Sequence, residues 1–111
     1  MTEPFEIVVR PDPSGVVVTL VGELDLATVG EVRRTLDHLR GRGWRDFVVD
    51  LRALTFLDST GVHLLLETYH RALAGGGSLT VASAAPEVHR VLELTGVADR
   101  LETPHAPLPG V

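Results

Sequence analysis

Residues 58 to 61 read Asp-Ser-Thr-Gly and stand between two apolar stretches, Phe56-Leu57 and a run that starts at Val62. Short polar and turn-forming residues in that setting fit the start of a helix. Asp58 or Ser59 is a good N-cap, because its side-chain oxygen can accept a hydrogen bond from an unpaired helix N–H. The same position also suits chemistry at the Ser59 hydroxyl. A helix start presents free N–H groups and partial positive charge, which accommodates a phosphate. Phosphorylation would add about −1.5 to −2 charges at pH 7. Beside Asp58, that charge would oppose docking by repulsion and desolvation without disturbing the fold. Spacing alone favours a cap with no further role.

Other chemistries find less support. A hydrolase elbow, Gly-x-Ser-x-Gly, needs glycine where Leu57 stands. A catalytic His and its orienting acid have no evident place, although spacing leaves His89 and His105 open. All ten basic residues are Arg, with no Lys. This removes Schiff-base chemistry, a P-loop lysine and a Ser-Lys pair. It also argues against a phosphate-accepting receiver domain, which commonly uses a Lys near its Asp. The absence of Cys excludes disulfides, a thiol nucleophile and thiolate metal sites. His63, Glu67 and His70 share one helical face at i, i+4 and i+7. Two of them suit a metal, but no third ligand converges in sequence. A solvated or partner-facing stripe is expected, with no metal and no cofactor. Gly75-Gly76-Gly77 follows a helix pattern rather than opening one, unlike a phosphate cradle. Arg40, Arg42 and Arg45 form a basic cluster on a loop, read as solvated, with an acidic partner as the alternative.

The chain that must position these residues has 111 of them, enough for one domain and one core. It is 44% apolar but only 5% aromatic, so the core is built mainly of Val, Leu and Ala. A net charge of −5 argues against direct nucleic-acid binding. No run approaches the ~18 apolar residues of a membrane span. The opening MTEPFEIVVR is acidic and enters a strand pattern directly, unlike a secretory leader. A soluble, cytoplasmic protein is expected.

The pattern predicts a strand over 5–9 ended by Pro11 and Pro13, a turn at Asp12-Pro13-Ser14-Gly15, and a second strand over 16–21, together a hairpin. Gly22-Glu23-Leu24-Asp25 should break that strand. Thr28 and Glu31 have capping-box spacing, and Val29, Val32, Leu36 and Leu39 form one buried helical stripe. Asp46 to Leu51 reads as an interior strand. A second helix follows the Asp-Ser-Thr-Gly stretch, with Val62, Leu65, Leu66, Tyr69 and Leu73 as its expected buried stripe. Leu79 to Ala82 is a further strand. Pro86 opens a third helix with Val88, Val91 and Leu92 inward, and 97–101 is expected to be a short strand or turn. The expected fold class is therefore α/β: a mixed sheet with an N-terminal hairpin and amphipathic helices packed on it. The domain should span 5–102, between a 1–4 extension and a Pro-rich tail at 103–111.

The pairing of GELDLAT (22–28) with VVDLRALTFLDSTGVHLLL (48–66) resembles the STAS family, and within it the free-standing bacterial anti-sigma factor antagonists. The resemblance covers roughly residues 5 to 102. It implies a STAS-like domain, a regulator rather than an enzyme, acting by partner switching. In such systems the unphosphorylated antagonist binds an anti-sigma factor that is also a serine kinase, which frees a sigma factor. The kinase binds ATP and phosphorylates the antagonist, which ends the complex. A metal-dependent, PP2C-type phosphatase restores the active form.

Carried onto this chain, the resemblance makes Ser59 the phosphoacceptor. Asp58 would orient it or shape the kinase contact, and Thr60 and Gly61 would set the turn and allow close approach. The acidic stretch of Glu23 and Asp25 would lie beside the acceptor, with Asp25 a partner contact. Two departures stand out. His63 replaces a residue that is commonly small, which implies a role in partner choice. The further C-terminal helix of many members is expected to be absent or shortened. The alternative reading is a non-switching STAS subunit of a transport or signalling complex, in which Asp58-Ser59 only caps a helix.

Overall fold

The computed structural model describes residues 4–101. Its sheet is organised around β2 (Gly15–Leu24), whose Val16, Val18, Leu20 and Leu24 alternate into the core. β1 (Glu6–Asp12) pairs antiparallel with β2 through a two-residue turn at Pro13-Ser14. Asp12 ties this turn by accepting from the Ser14 amide (3.0 Å) and hydroxyl (2.6 Å). Gly15 has φ +135°, and a Cβ there would stand 2.3 Å from the Asp46 carbonyl oxygen, so only glycine fits. The first strand was expected to stop at Pro11, yet it runs on to Asp12. β1 is an edge strand, where the missing proline N–H costs no ladder bond on the open side.

β3 (Asp46–Leu51) lies between β2 and β5 (Ser78–Ala84), parallel to both. Phe47 to Leu51 are all buried, as an interior strand requires. β2 does not break at Gly22. It continues through Glu23 to Leu24 by changing partner: β3 pairs with Val16–Thr19, and β4 (Leu54–Leu57) pairs in parallel with Gly22–Leu24. The register shift between Gly22 and Glu23 absorbs the glycine as an irregularity within the strand. The apolar residues before Asp58 are thus a strand, too short to carry a readable alternation. The order is β1-β2-β3-β5, with β4 on β2, a mixed sheet with an N-terminal hairpin.

α1 (Val29–Gly41) buries Val29, Val32, Leu36 and Leu39 as their spacing predicts. α2 (Ser59–Ala74) buries Gly61, Val62, Leu64, Leu65, Thr68 and Ala72, a face rotated from the expected stripe. Leu66 and Tyr69 are half-buried, and Leu73 is 50% exposed. Three consecutive leucines blur the periodicity. The small residues Gly61 and Ala72, with Thr68, mark the true interior, and the Thr68 hydroxyl is satisfied by donating to the Leu64 carbonyl (2.9 Å). α3 (Pro86–Leu94) begins on Pro86 and buries Val88 and Leu92, with Val91 half-buried. The 97–101 segment forms a helical turn, α4 (Ala98–Leu101), rather than a strand. Val97 and Leu101 enter the core while Asp99 between them is exposed, a pattern that fits a helical turn and departs from the alternation of a strand. The expected tail at 103–111, His105, and the first three residues lie outside the described residues. No helix among the described residues is long and apolar enough to cross a membrane.

The rotated face of α2 makes a testable contrast. Leu65→Ala should destabilise the fold by about 2–5 kcal/mol, whereas Leu73→Ala should change it by less than about 0.5 kcal/mol. Urea unfolding of both variants reads the difference, and equal losses would restore the stripe expected from spacing.

Candidate functional site

β2 and β4 are parallel neighbours, so the segments that follow them leave the sheet at the same end. The Asp58 amide donates to the Leu24 carbonyl (3.3 Å), which places the start of α2 directly against the 25–28 loop. That loop is held by its own side chains. The Ala27 amide donates to Asp25 Oδ1 (2.9 Å), and the Asp25 amide donates to Thr28 Oγ1 (3.0 Å). The Thr28 hydroxyl donates to the Glu23 carbonyl (2.8 Å). Thr28 therefore closes the loop behind it, and the capping box expected with Glu31 does not form.

Asp58 is the N-cap of α2. Its Oδ1 accepts from the amides of Thr60 (3.0 Å) and Gly61 (3.1 Å) and from the Thr60 hydroxyl. Its carboxyl is held below its ordinary value first by the Thr60 hydroxyl. Partial burial opposes this, and the Gly61, Thr60 and Leu26 amides reinforce it. With Asp58 as the cap, Ser59 does not serve that purpose. Ser59 is exposed at the first position of the helix, and among the described residues no protein group hydrogen-bonds its hydroxyl. Gly61 is buried: a Cβ there would lie 2.5 Å from Leu57 Cδ1 and 3.1 Å from the Leu24 carbonyl oxygen. The close approach it permits is thus between α2 and the ends of β2 and β4.

An open groove of about 410 Å³ borders the serine, lined by Leu26, Val29, Arg33, Ser59, Thr60 and His63. The sequence-predicted residues divide across it. Ser59, Thr60 and His63 line it, and Asp58 and Asp25 brace its end. Glu23 is exposed on β2 opposite Phe56 of β4. Sequence reasoning missed Leu26, which is 77% exposed beside the serine, and the 47% exposed Phe56. A large apolar residue inside a polar loop was the available signal for Leu26. Arg33 was also missed, because it lies off the apolar stripe of α1. It reaches from α1 to α2 and grips Glu67 with two guanidinium nitrogens, at 3.2 and 3.3 Å. This holds the Glu67 carboxyl below its ordinary value. His63 stands 4.0 Å from the same carboxylate, and His70 packs edge-on to Tyr69 at 5.4 Å. Among the described residues no three His, Asp or Glu side chains are grouped to hold a metal.

The arginine cluster lies at the other end of the sheet. Arg40 pairs with Asp37 (2.8 Å), and Arg45 donates to the Gly75 carbonyl (3.3 Å). Both line a pocket of about 220 Å³ with Trp44, Phe47 and Arg71. Their carbonyl and carboxylate partners fit cations at helix C-termini.

The STAS domain model matches residues 5–106. An anti-sigma F factor antagonist of Paenibacillus polymyxa is 35% identical over 82 residues, covering 73% of this chain and 70% of that one. An anti-sigma-B factor antagonist of Staphylococcus aureus is 33% identical over 82 residues, covering 74% and 76%. The crystal structure of an anti-sigma factor antagonist from Mycobacterium paratuberculosis superposes with TM-score 0.81 at 25% identity, covering 94% of this chain and 91% of that one. The fold is also that of SpoIIAA in its unphosphorylated form, at TM-score 0.74 and 24% identity, covering 92% and 90%.

Two variants test the construction of the site. Gly61→Ala should cost about 1–3 kcal/mol by forcing α2 off Leu24 and Leu57; an unchanged urea midpoint would refute the close packing. Asp58→Ala should cost about 0.5–2 kcal/mol at neutral pH. Because the folded-state carboxyl is lowered from 3.8, its contribution is present above that value and lost as pH falls through the depressed one. The stability gap between wild type and Asp58→Ala should therefore be constant near neutrality and close in acid. A gap independent of pH down to the acid limit would contradict a charged cap.

Proposed function

The chain belongs to the STAS domain family, and on that premise we propose that it is an anti-sigma factor antagonist that works by partner switching. In its unphosphorylated form it binds an anti-sigma factor that is also a serine kinase, and the bound sigma factor is released. The kinase then transfers the γ-phosphoryl group of ATP to the Ser59 oxygen, with loss of the hydroxyl proton and departure of ADP. A PP2C-type phosphatase hydrolyses the phosphoserine and returns the binding form. The chain itself is a regulator of the cytoplasm and not an enzyme.

The observation that carries this reading is the exposed Ser59 hydroxyl, without a hydrogen-bond partner among the described residues, at a helix start whose capping position is already filled by Asp58. A serine needed only as a cap would be engaged with the helix amides. Exposure gives a kinase access and lets a phosphate be added without displacing any packed group. The exposed Leu26 beside it supplies apolar contact of the kind found in the buried centre of protein interfaces. Phosphate at Ser59 brings about −1.5 to −2 charges next to Asp58 and Asp25. A docked partner must then cover a dense group of anions, at a cost in desolvation that the unmodified surface does not impose. His63, large and 78% exposed on the same turn, is a determinant of which kinase fits.

Wild type and Ser59→Asp used as paired baits in lysate of the source organism test the switch. Wild type should retain a kinase-like ATPase that Ser59→Asp does not, while both melt at the same temperature. Equal retention would point to a constitutive subunit. Asp25→Asn keeps the oxygen that accepts from Ala27, so the loop should stay folded while kinase affinity falls about 10-fold, as for a lost hydrogen bond to a charged group. Unchanged affinity would remove Asp25 from the interface.

A further inference from the structure

We propose that a phosphate on Ser59 is received within the chain by Arg33 and His63, which exchange Glu67 for it, so that the phosphorylated groove is closed by its own side chains. The proposal rests on the reading of Ser59 as the phosphoacceptor and adds how the modified state is held.

Ser59, His63 and Glu67 follow one another at i, i+4 and i+8 along a single face of α2. Helical side chains lean toward the helix N-terminus. Glu67 thus leans toward His63, at 4.0 Å, and His63 lines the groove together with Ser59, one turn before it. Arg33 comes to this stripe from α1 and lines the same groove as Ser59 and His63. The Arg33 guanidinium and the His63 ring therefore share one carboxylate in the resting chain. The Arg33–Glu67 pair is 39% and 32% exposed, and His63 is 78% exposed. Exposed pairs of this kind hold weakly and exchange at little cost.

A phosphate changes the competition. It carries more charge than Glu67 and three acceptor oxygens. The guanidinium fork matches phosphate with two parallel hydrogen bonds. His63 becomes a better ligand once protonated, and a dianion beside it favours that form. Glu67 is not left stranded, because Arg71 also acts on it from one turn away, while holding Asp37 at 3.1 Å. The remaining neighbours, Asp58 and Asp25, are acids already engaged with backbone amides, and they repel the phosphate toward the Arg33 side. The result covers the apolar wall of Leu26 and Val29 with an internal ion pair, so the modification withdraws a surface as well as adding charge.

The test installs phosphoserine at position 59 genetically, without a kinase, in wild type, Arg33→Ala and His63→Ala. Phosphorus NMR then follows the phosphate from about pH 4 to 9, across its second ionisation. In wild type that ionisation should fall about 0.5 pH unit or more below the value in an unstructured phosphoserine peptide, and it should move back toward the peptide in both variants. All three partners in this exchange are partly or largely exposed, so the variants should fold, and Arg33→Lys should restore part of the shift. Identical phosphate titrations in wild type and both variants would overturn the proposal while leaving the bait result to decide whether Ser59 is the switch. A phosphate shift that depends on Arg33 and His63 would establish the exchange even if the baits retained the same partners.

Discussion

The parallel pairing of β2 with β4 is the constraint on which the site depends. Leu24 and Leu57 end adjacent strands, and the Asp58 amide bonds the Leu24 carbonyl just beyond them. α2 must then start within van der Waals contact of both strand ends. Glycine at position 61 allows this approach, because a Cβ there would force Leu57 and Leu24 to shift. From this one contact follow the neighbouring position of the 25–28 loop, the burial of Val62 and Leu65, and the outward placement of Ser59.

Polar groups at this end are apportioned so that, among the described residues, the Ser59 hydroxyl is left unpaired. Asp58 takes the Thr60 and Gly61 amides, Asp25 takes the Ala27 amide, and Thr28 closes its loop on Glu23. These bonds make two adjoining loops rigid without using the serine. Rigidity matters because an interface built on ordered loops loses less conformational entropy on binding. A free hydroxyl on a rigid frame is what a modifying partner needs. It is also what allows a charge to be added at little cost to the fold. The Arg33–Glu67 and Asp37–Arg71 pairs tie α1 to α2, the first of them at the groove. Being exposed, they contribute little stability and can be remade.

Much of this was legible in residues. The four aliphatic residues of α1 are spaced for one face and lie on it. Pro86 at a helix start and the β-branched run of β2 mean the same thing locally and globally. The misreadings have specific causes. β4 is four residues long, too short for periodicity to register, and its strand identity comes from its partner. The buried face of α2 is set by Gly61 and Thr68, residues that hydrophobic spacing ignores. Thr28 and Glu31 satisfy a capping pattern, but Thr28 Oγ1 accepts from the Asp25 amide and the Thr28 amide donates to the Asp25 carbonyl, so both groups the box would use are taken within the loop.

By itself the sequence determined the α/β class, the parallel crossovers, most helix faces and the stretch in which the unusual serine lies, because these follow from short-range periodicity and turn chemistry. It left open whether Asp58 or Ser59 caps the helix, and it did not disclose that Leu26 and Arg33 border the serine. Those matters belong to the tertiary structure alone. Leu26 and Arg33 stand 33 and 26 positions from Ser59 and are brought to it by the fold, and no local pattern encodes which backbone amide will find which oxygen first.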